Sequence, residues 1–223
     1  MTKTFYNDRS VANQMKPERT ALVIVDMQND FGHSDGYLGK MGQDVSQVQS
    51  IVPAIERLVE SARRAGVLVV WTKNEALPGG RSDSPAWLAF KGTAFELNAP
   101  TYTLKNSWGQ EFMEPLQPLD EEPVVVKYRS SGFDHTPLDL ILRANAIESV
   151  VVIGCATDAC VESTARSAAY HDYFTQLVSD CVASTRPEMH TSALRVFDTF
   201  FTTAPADEFI SVWDSSEGSA EAI

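Results

Sequence analysis

The chain has 223 residues, 43% hydrophobic and 22% charged, the make-up of an ordinary globular protein with one good-sized core. Against 18 basic residues stand 30 acidic ones, and the net charge of −12 argues against nucleic acid or an anionic membrane as a partner, since both need a basic surface. Three cysteines are too few, and odd in number, for a disulfide framework. With no apolar leader and no apolar run long enough to span a bilayer, a cytoplasmic chain is expected.

Residues 1–19 are polar and aperiodic, an arm that either packs on a neighbouring subunit or frays. A buried strand then runs from Ala21 to Val25 and stops at the carboxylate of Asp26. Residues 45–65 read as an amphipathic helix with a stripe of Val48, Ile51, Val52, Ile55, Leu58 and Val59, halted by Gly66. Val67 to Trp71 is a second strand. Regular patterning lapses over 73–122, where turn-forming clusters such as Pro78-Gly79-Gly80 point to a lid or a subunit interface. Trp87, Phe90 and Phe95 in that region could alternatively make a satellite core.

The remaining elements alternate: strand 124–127 ending in Lys127, helix 137–144, strand 149–153, helix 158–171, strand 174–179, helix 187–199 and a sixth strand over 209–213. Residues 215–223 have the composition of a disordered tail. Alternating strands and helices imply a single α/β domain over 20–214, a three-layer α/β/α arrangement around a six-stranded, mainly parallel sheet of Rossmann-like type.

Chemistry concentrates after the fourth strand. Val150-Val151-Val152-Ile153 suits a strand buried on both faces, Gly154 permits a sharp turn, and Thr157 or Asp158 can cap the helix that follows. Cys160 then falls in the first helical turn, where backbone N–H groups and the helix dipole bias a thiol toward thiolate. It is either a nucleophile or one more small buried residue. Asp26 and Lys127 also close strands, and the carboxyl ends of a parallel sheet share one edge, where ligands bind. A carboxylate at a strand end is commonly a turn residue and a lysine there commonly just solvated. All three at equivalent ends make a candidate active site.

These segments resemble the isochorismatase-like cysteine hydrolases. The stretch Val25-Asp26-Met27-Gln28-Asn29-Asp30-Phe31 is similar to that family's first motif, Lys127 with Ser131-Gly132-Phe133 and Thr136 to its lysine motif, and 154–164 to its nucleophile motif. The resemblance covers Thr20 to Trp213. It implies a catalytic triad of Asp26, Lys127 and Cys160, a cis peptide between Cys155 and Ala156, and an oxyanion hole formed by the Ala156 and Cys160 N–H groups. Asp26 would take the thiol proton, Lys127 would stabilise negative charge, and the thiolate would add to an amide or ureide carbonyl. Nicotinamidases of the family bind a metal through an Asp and two His after the second strand. Here Trp71 to Leu77 holds no histidine, so no metal and no cofactor are expected.

Within the family, Gly36-Tyr37-Leu38, Ser107-Trp108, Ser131-Gly132-Phe133 with Thr136-Pro137-Leu138-Asp139, and Cys160 to Thr164 are similar to ureidoacrylate amidohydrolases. The implied reaction is hydrolysis of a C–N bond in a small ureide or amide, of ureidoacrylate, biuret, triuret or N-carbamoyl type. A nicotinamidase-type amidase and a catalytically silent binding protein are the alternatives. Phe31, Tyr37, Trp108 and Phe133 are candidate walls of the pocket, and Asn74, Arg129 and His135 candidate polar contacts to substrate, with Arg129 suited to a carboxylate. A homodimer or homotetramer is expected.

Overall fold

The computed structural model describes residues 14–94 and 102–217. Most of the N-terminal arm, Phe95 and the last six residues, with most of the expected tail, lie outside the described residues. Six strands form one sheet: β1 (Thr20–Val25), β2 (Leu68–Asn74), β3 (Val124–Lys127), β4 (Ser149–Cys155), β5 (Phe174–Ala183) and β6 (Thr202–Ala204). Their order is β3-β2-β1-β4-β5-β6, and all five neighbouring pairs are parallel.

Strand alternation divides the apolar residues between two cores. Leu22, Ile24, Val69, Trp71, Val151 and Ile153 face one side and meet α3 (Ser46–Ser50), α4 (Val52–Arg64) and α9 (Ala206–Glu217) through Ile55, Leu58, Phe209 and Trp213. Ala21, Val23, Val25, Val150 and Val152 face the other and meet α6 (Leu138–Ala144), α7 (Glu162–Tyr170) and α8 (Pro187–Phe200) through Leu142, Ala165, Ala168 and Phe197. Burial on both faces is why β1 and β4 read as unbroken apolar runs rather than alternating ones. The two halves of the sheet wind outward from β1 and β4, so the crevice at that reversal opens at their carboxyl ends.

Several expected elements differ in place. The Phe209 to Trp213 segment is not a strand but part of α9, and the sixth strand is the short polar run Thr202-Thr203-Ala204. Phe209 and Trp213 are four residues apart and both fully buried, which a helix achieves on one face, and the Asp180 carboxylate accepts the Ala206 N–H at its start. A five-residue apolar run cannot by itself distinguish the two outcomes. β2 continues to Asn74 and β5 to Ala183, which puts Cys181 inside a strand, fully buried. The 73–122 region holds a helix, α5 (Pro85–Ala94), and its far end is pinned to β2. There Glu122 accepts the Trp71 indole N–H at 2.7 Å and two Arg63 N–H groups at 2.8 and 3.0 Å.

Candidate active site

Three strand ends converge in the crevice. After β1, Asp26 takes φ of 50°, in the left-handed region that Asp tolerates better than most residues, and the chain turns off the sheet. Its Oδ1 accepts the Thr72 hydroxyl of β2 at 2.9 Å, and its Oδ2 lies 2.6 Å from Lys127 Nζ of β3. Both charged side chains are wholly buried. Lys127 also donates to the Arg129 carbonyl at 3.0 Å. β2 lies between β1 and β3, so the lysine reaches past one strand to its partner.

From β4 comes the third group. Cys155 donates its thiol to the Asp26 carbonyl at 3.2 Å, and the Cys155–Ala156 peptide bond is cis. The chain then forms a π-helical turn, Thr157–Val161, before α7 begins. Such single π turns are frequent at functional sites, and Cys160 sits in this one. Its thiol is within hydrogen-bonding reach of both Asp26 and Lys127.

Electrostatics decide the resting protonation. Burial pushes the Cys160 thiol up to about 12; Lys127 opposes this and Asp26 adds to it. Burial also works against the Lys127 ammonium, but Asp26 and Cys160 facing it leave its pKa raised. The bias toward thiolate expected from the first helical turn is therefore reversed. Desolvation is the largest influence on the thiol and favours its neutral form beside the Asp26–Lys127 pair.

No side chain caps the turn either, since Ala156 is its N-cap. The two residues expected to cap it are held from α8 and the loop before it. Thr157 Oγ1 meets His190 Nδ1 at 2.9 Å, and the buried Asp158 pairs with Arg186.

A cavity of about 80 Å³ lies over the thiol. Ala156, Ala159 and Cys160 form one wall, and Phe31, Leu38, Trp87 and Tyr102 supply apolar sides. Gln43, Asn74, Ser130, Ser184, Thr185 and Arg186 bring polar groups. Of the expected pocket residues, Phe31 and Asn74 are in this lining.

The other five are placed elsewhere. Tyr37 packs its ring on Tyr102, with centroids 5.7 Å apart, behind the wall. Trp108 is 46% exposed and stands edge-on to His33. Phe133 is buried against His171 and Tyr173, and His135 is exposed on a left-handed turn with φ of 58°. Arg129 donates to the Ser82 and Tyr128 carbonyls and lies 4.8 Å over the Trp87 ring, so it backs the wall instead of lining it.

Leu38, Gln43, Trp87, Tyr102, Ser130, Thr185 and Arg186 also line the cavity, unmarked as pocket residues by any sequence motif. Only the position of 184–186 just beyond β5, at the ligand-binding edge of the sheet, carried a signal. Among the described residues no group of three or more His, Cys, Asp or Glu side chains is arranged to hold a metal ion. Among them, too, no helix is long and apolar enough to cross a membrane.

A doubly wound parallel sheet that delivers an aspartate, a lysine and a cysteine to one crevice defines a cysteine hydrolase of the isochorismatase type. A family model for the isochorismatase domain matches residues 20–206, and the chain belongs to that family. It is 36% identical over 201 residues to the ureidoacrylate amidohydrolase RutB of Acinetobacter baylyi, covering 85% of this chain and 81% of that one. The structure of a cysteine hydrolase from Pseudomonas syringae pv. phaseolicola superposes with a TM-score of 0.80 at 25% identity, over 91% of this chain and 96% of that one. N-carbamoylsarcosine amidase from Thermoplasma acidophilum superposes with a TM-score of 0.67 at 31% identity, over 85% of this chain and 97% of that one.

Proposed function

We propose that the protein is a metal-independent cysteine amidohydrolase that cleaves a C–N bond of a small ureide or amide through an acyl-thioester-type intermediate. The observation that carries this reading is the fully buried Asp26–Lys127 pair, 2.6 Å apart, with the Cys160 thiol in reach of both under the cavity. The ureidoacrylate amidohydrolase and N-carbamoylsarcosine amidase among its relatives supply the substrate class.

Because the resting thiol is neutral, proton transfer accompanies attack. Asp26 takes the Cys160 proton as sulfur bonds to the substrate carbonyl carbon, and Lys127 offsets the negative charge that develops. The Ala156 and Cys160 N–H groups receive the oxyanion. Collapse breaks the C–N bond, and Asp26 returns the proton to the leaving nitrogen. A water then gives a proton to Asp26 as its oxygen attacks the thioester carbon. The C–S bond breaks, and that proton restores the thiol. Ammonia or a carbamate departs, according to which nitrogen left.

The purified protein should release ammonia from at least one of ureidoacrylate, biuret, triuret, N-carbamoylsarcosine and nicotinamide, undiminished by a chelator. Silence on all five, or a clear preference for nicotinamide, would overturn the assignment. We also propose a homodimer or homotetramer, because Leu140, Tyr170 and Phe200 are 71, 75 and 64% exposed on the surface of one chain. Light scattering at 24.5 kDa across micromolar dilutions would refute assembly.

A further inference from the structure

Tyr102 is 8% exposed, and it forms one side of the cavity over the Cys160 thiol. Three groups fix its ring. Phe31 and Tyr37 pack on it with centroids 5.5 and 5.7 Å away, and the Lys91 ammonium of α5 stands 5.1 Å from its centroid. Lys91 is itself held 3.0 Å from Asp83, with side chains 3 and 5% exposed, so a buried ion pair supports the ring. The backbone is tied as firmly. The next residue, Thr103, gives its N–H to Asp30 at 2.6 Å and accepts the Ala76 N–H at 2.9 Å. Its hydroxyl donates to Asn74 Oδ1 at 2.8 Å.

The Tyr102 hydroxyl is the exception to this order. Among the described residues it has no hydrogen-bond partner, and it is not one of the unpaired polar atoms sealed from solvent. In a side chain this deeply buried, the space that the hydroxyl reaches is the cavity. The cations around that cavity are each matched to a carboxylate: Lys127 to Asp26, Lys91 to Asp83 and Arg186 to Asp158. An unengaged neutral group therefore stands among satisfied charges. Leaving such a hydroxyl unpaired in a desolvated site costs about 1–3 kcal/mol, which a ligand that supplies its partner recovers.

The phenol acts as a donor here. Burial pushes its pKa far up, and Cys160, Asp83, Asp26 and Tyr37 add to the rise, so the O–H stays intact through the neutral range. A donor rewards an acceptor oxygen. The scissile carbonyl oxygen goes to the Ala156 and Cys160 N–H groups in the proposed reaction, which leaves an oxygen elsewhere on the substrate for Tyr102. We propose that Tyr102 is a substrate-binding residue whose phenol donates a hydrogen bond to an acceptor oxygen, carbonyl or carboxylate, on the substituent beyond the scissile carbonyl. Ureides that carry such an oxygen are then preferred to plain alkyl ureas. This rests on the amidohydrolase reading and narrows its substrate class.

Calorimetry on the Cys160→Ala protein tests the contact without turnover. Biuret offers a second carbonyl oxygen, ureidoacrylate a carboxylate, and n-propylurea neither. Tyr102→Phe removes one oxygen that bonds to no described residue, so the urea midpoint should stay at the Cys160→Ala value. Affinity for biuret, ureidoacrylate or both should fall roughly 10- to 100-fold in the double variant. Propylurea should bind more weakly from the outset and lose nothing further. A loss for biuret alone assigns a carbonyl to the phenol, and a loss for ureidoacrylate alone a carboxylate. Unchanged affinity for both, or an equal loss for propylurea, would overturn the proposal. If wild-type protein hydrolyses no ureide while binding still depends on Tyr102, the amidohydrolase reading fails and the contact stands. Absence of binding by all three compounds would remove both.

Discussion

Gly154 approaches Val25 so closely that a Cβ on it would lie 2.1 Å from the Val25 carbonyl oxygen and 2.8 Å from its nitrogen. The two residues are register partners on β4 and β1, one step before the chain turns toward Cys160 and Asp26 respectively. Gly154 also has φ of 111°, where side chains are strained whatever the space. The turn that carries Cys160 and the strand end that carries Asp26 are thus brought together by a backbone contact that only glycine allows. Gly154→Ala should cost about 1–3 kcal/mol or more, read as a lower urea midpoint, and should impair turnover even in protein that remains folded. An unchanged midpoint would show that the contact relaxes freely.

Cys160→Ala and Cys160→Ser should lower turnover by roughly three orders of magnitude or more while leaving the circular dichroism spectrum and urea midpoint near wild type. Near-normal activity in both variants would remove Cys160 from the reaction.

Thiol titration supplies a sharper check. A thiol raised to about 12 stays protonated through neutral pH, so the iodoacetamide labelling rate at Cys160 should keep climbing above pH 9. Lys127→Met removes the group that opposes the rise, and should slow labelling further at any given pH. Cys155 and Cys181, 1 and 0% exposed, should label last. A plateau below pH 8 would mean a preformed thiolate. A thiol whose folded pKa is raised contributes stability below the unfolded value of 9.0, and that contribution is lost as pH climbs toward 12.

Lys127→Met alone strands a buried carboxylate and should destabilise the protein by about 3–5 kcal/mol. Combining it with Asp26→Asn should recover most of that loss, because no unpaired charge is left behind. A double variant as unstable as the sum of the singles would show that the two side chains do not form a coupled pair.

Glu122 tests the outer edge of the sheet. Burial works to raise its pKa, but Arg63, the Leu119 N–H and the Trp71 indole together hold it below the ordinary 4.5. A depressed pKa contributes stability above 4.5 that is lost as pH falls through the folded value. Glu122→Gln should therefore cost roughly 1–3 kcal/mol at pH 7, and its difference from wild type should shrink in acid. A pH-independent difference would point to packing alone.

Local chemistry was legible in the chain because it is short-range. Unbroken β-branched runs marked β1 and β4, helical spacing marked α4, and the residues closing each strand announced Asp26, Lys127 and the turn to Cys160. A parallel sheet converts those ends into neighbours by topology alone, so the triad candidates needed no knowledge of packing. Short segments were different. Phe209 to Trp213, expected as a strand, is helical, and Thr202 to Ala204, given no element, is the sixth strand, because three to five residues carry too little periodicity to decide, and burial against α4 and β5 decided instead.

The pocket wall and the state of the thiol were settled only by tertiary structure. Trp87 reaches the cavity from α5, and Tyr102 and Arg186 from irregular segments whose paths depend on long-range hydrogen bonds, such as Thr103 N–H to Asp30 at 2.6 Å and the Arg186–Asp158 pair. Which of Arg129 and Arg186 lines the cavity cannot be read from residue type, since both are arginines just beyond a strand end. The protonation of Cys160, half-buried in the turn after β4, likewise depends on how its surroundings desolvate it beside the Asp26–Lys127 pair. Burial is a property of the whole fold, and no stretch of sequence carries it.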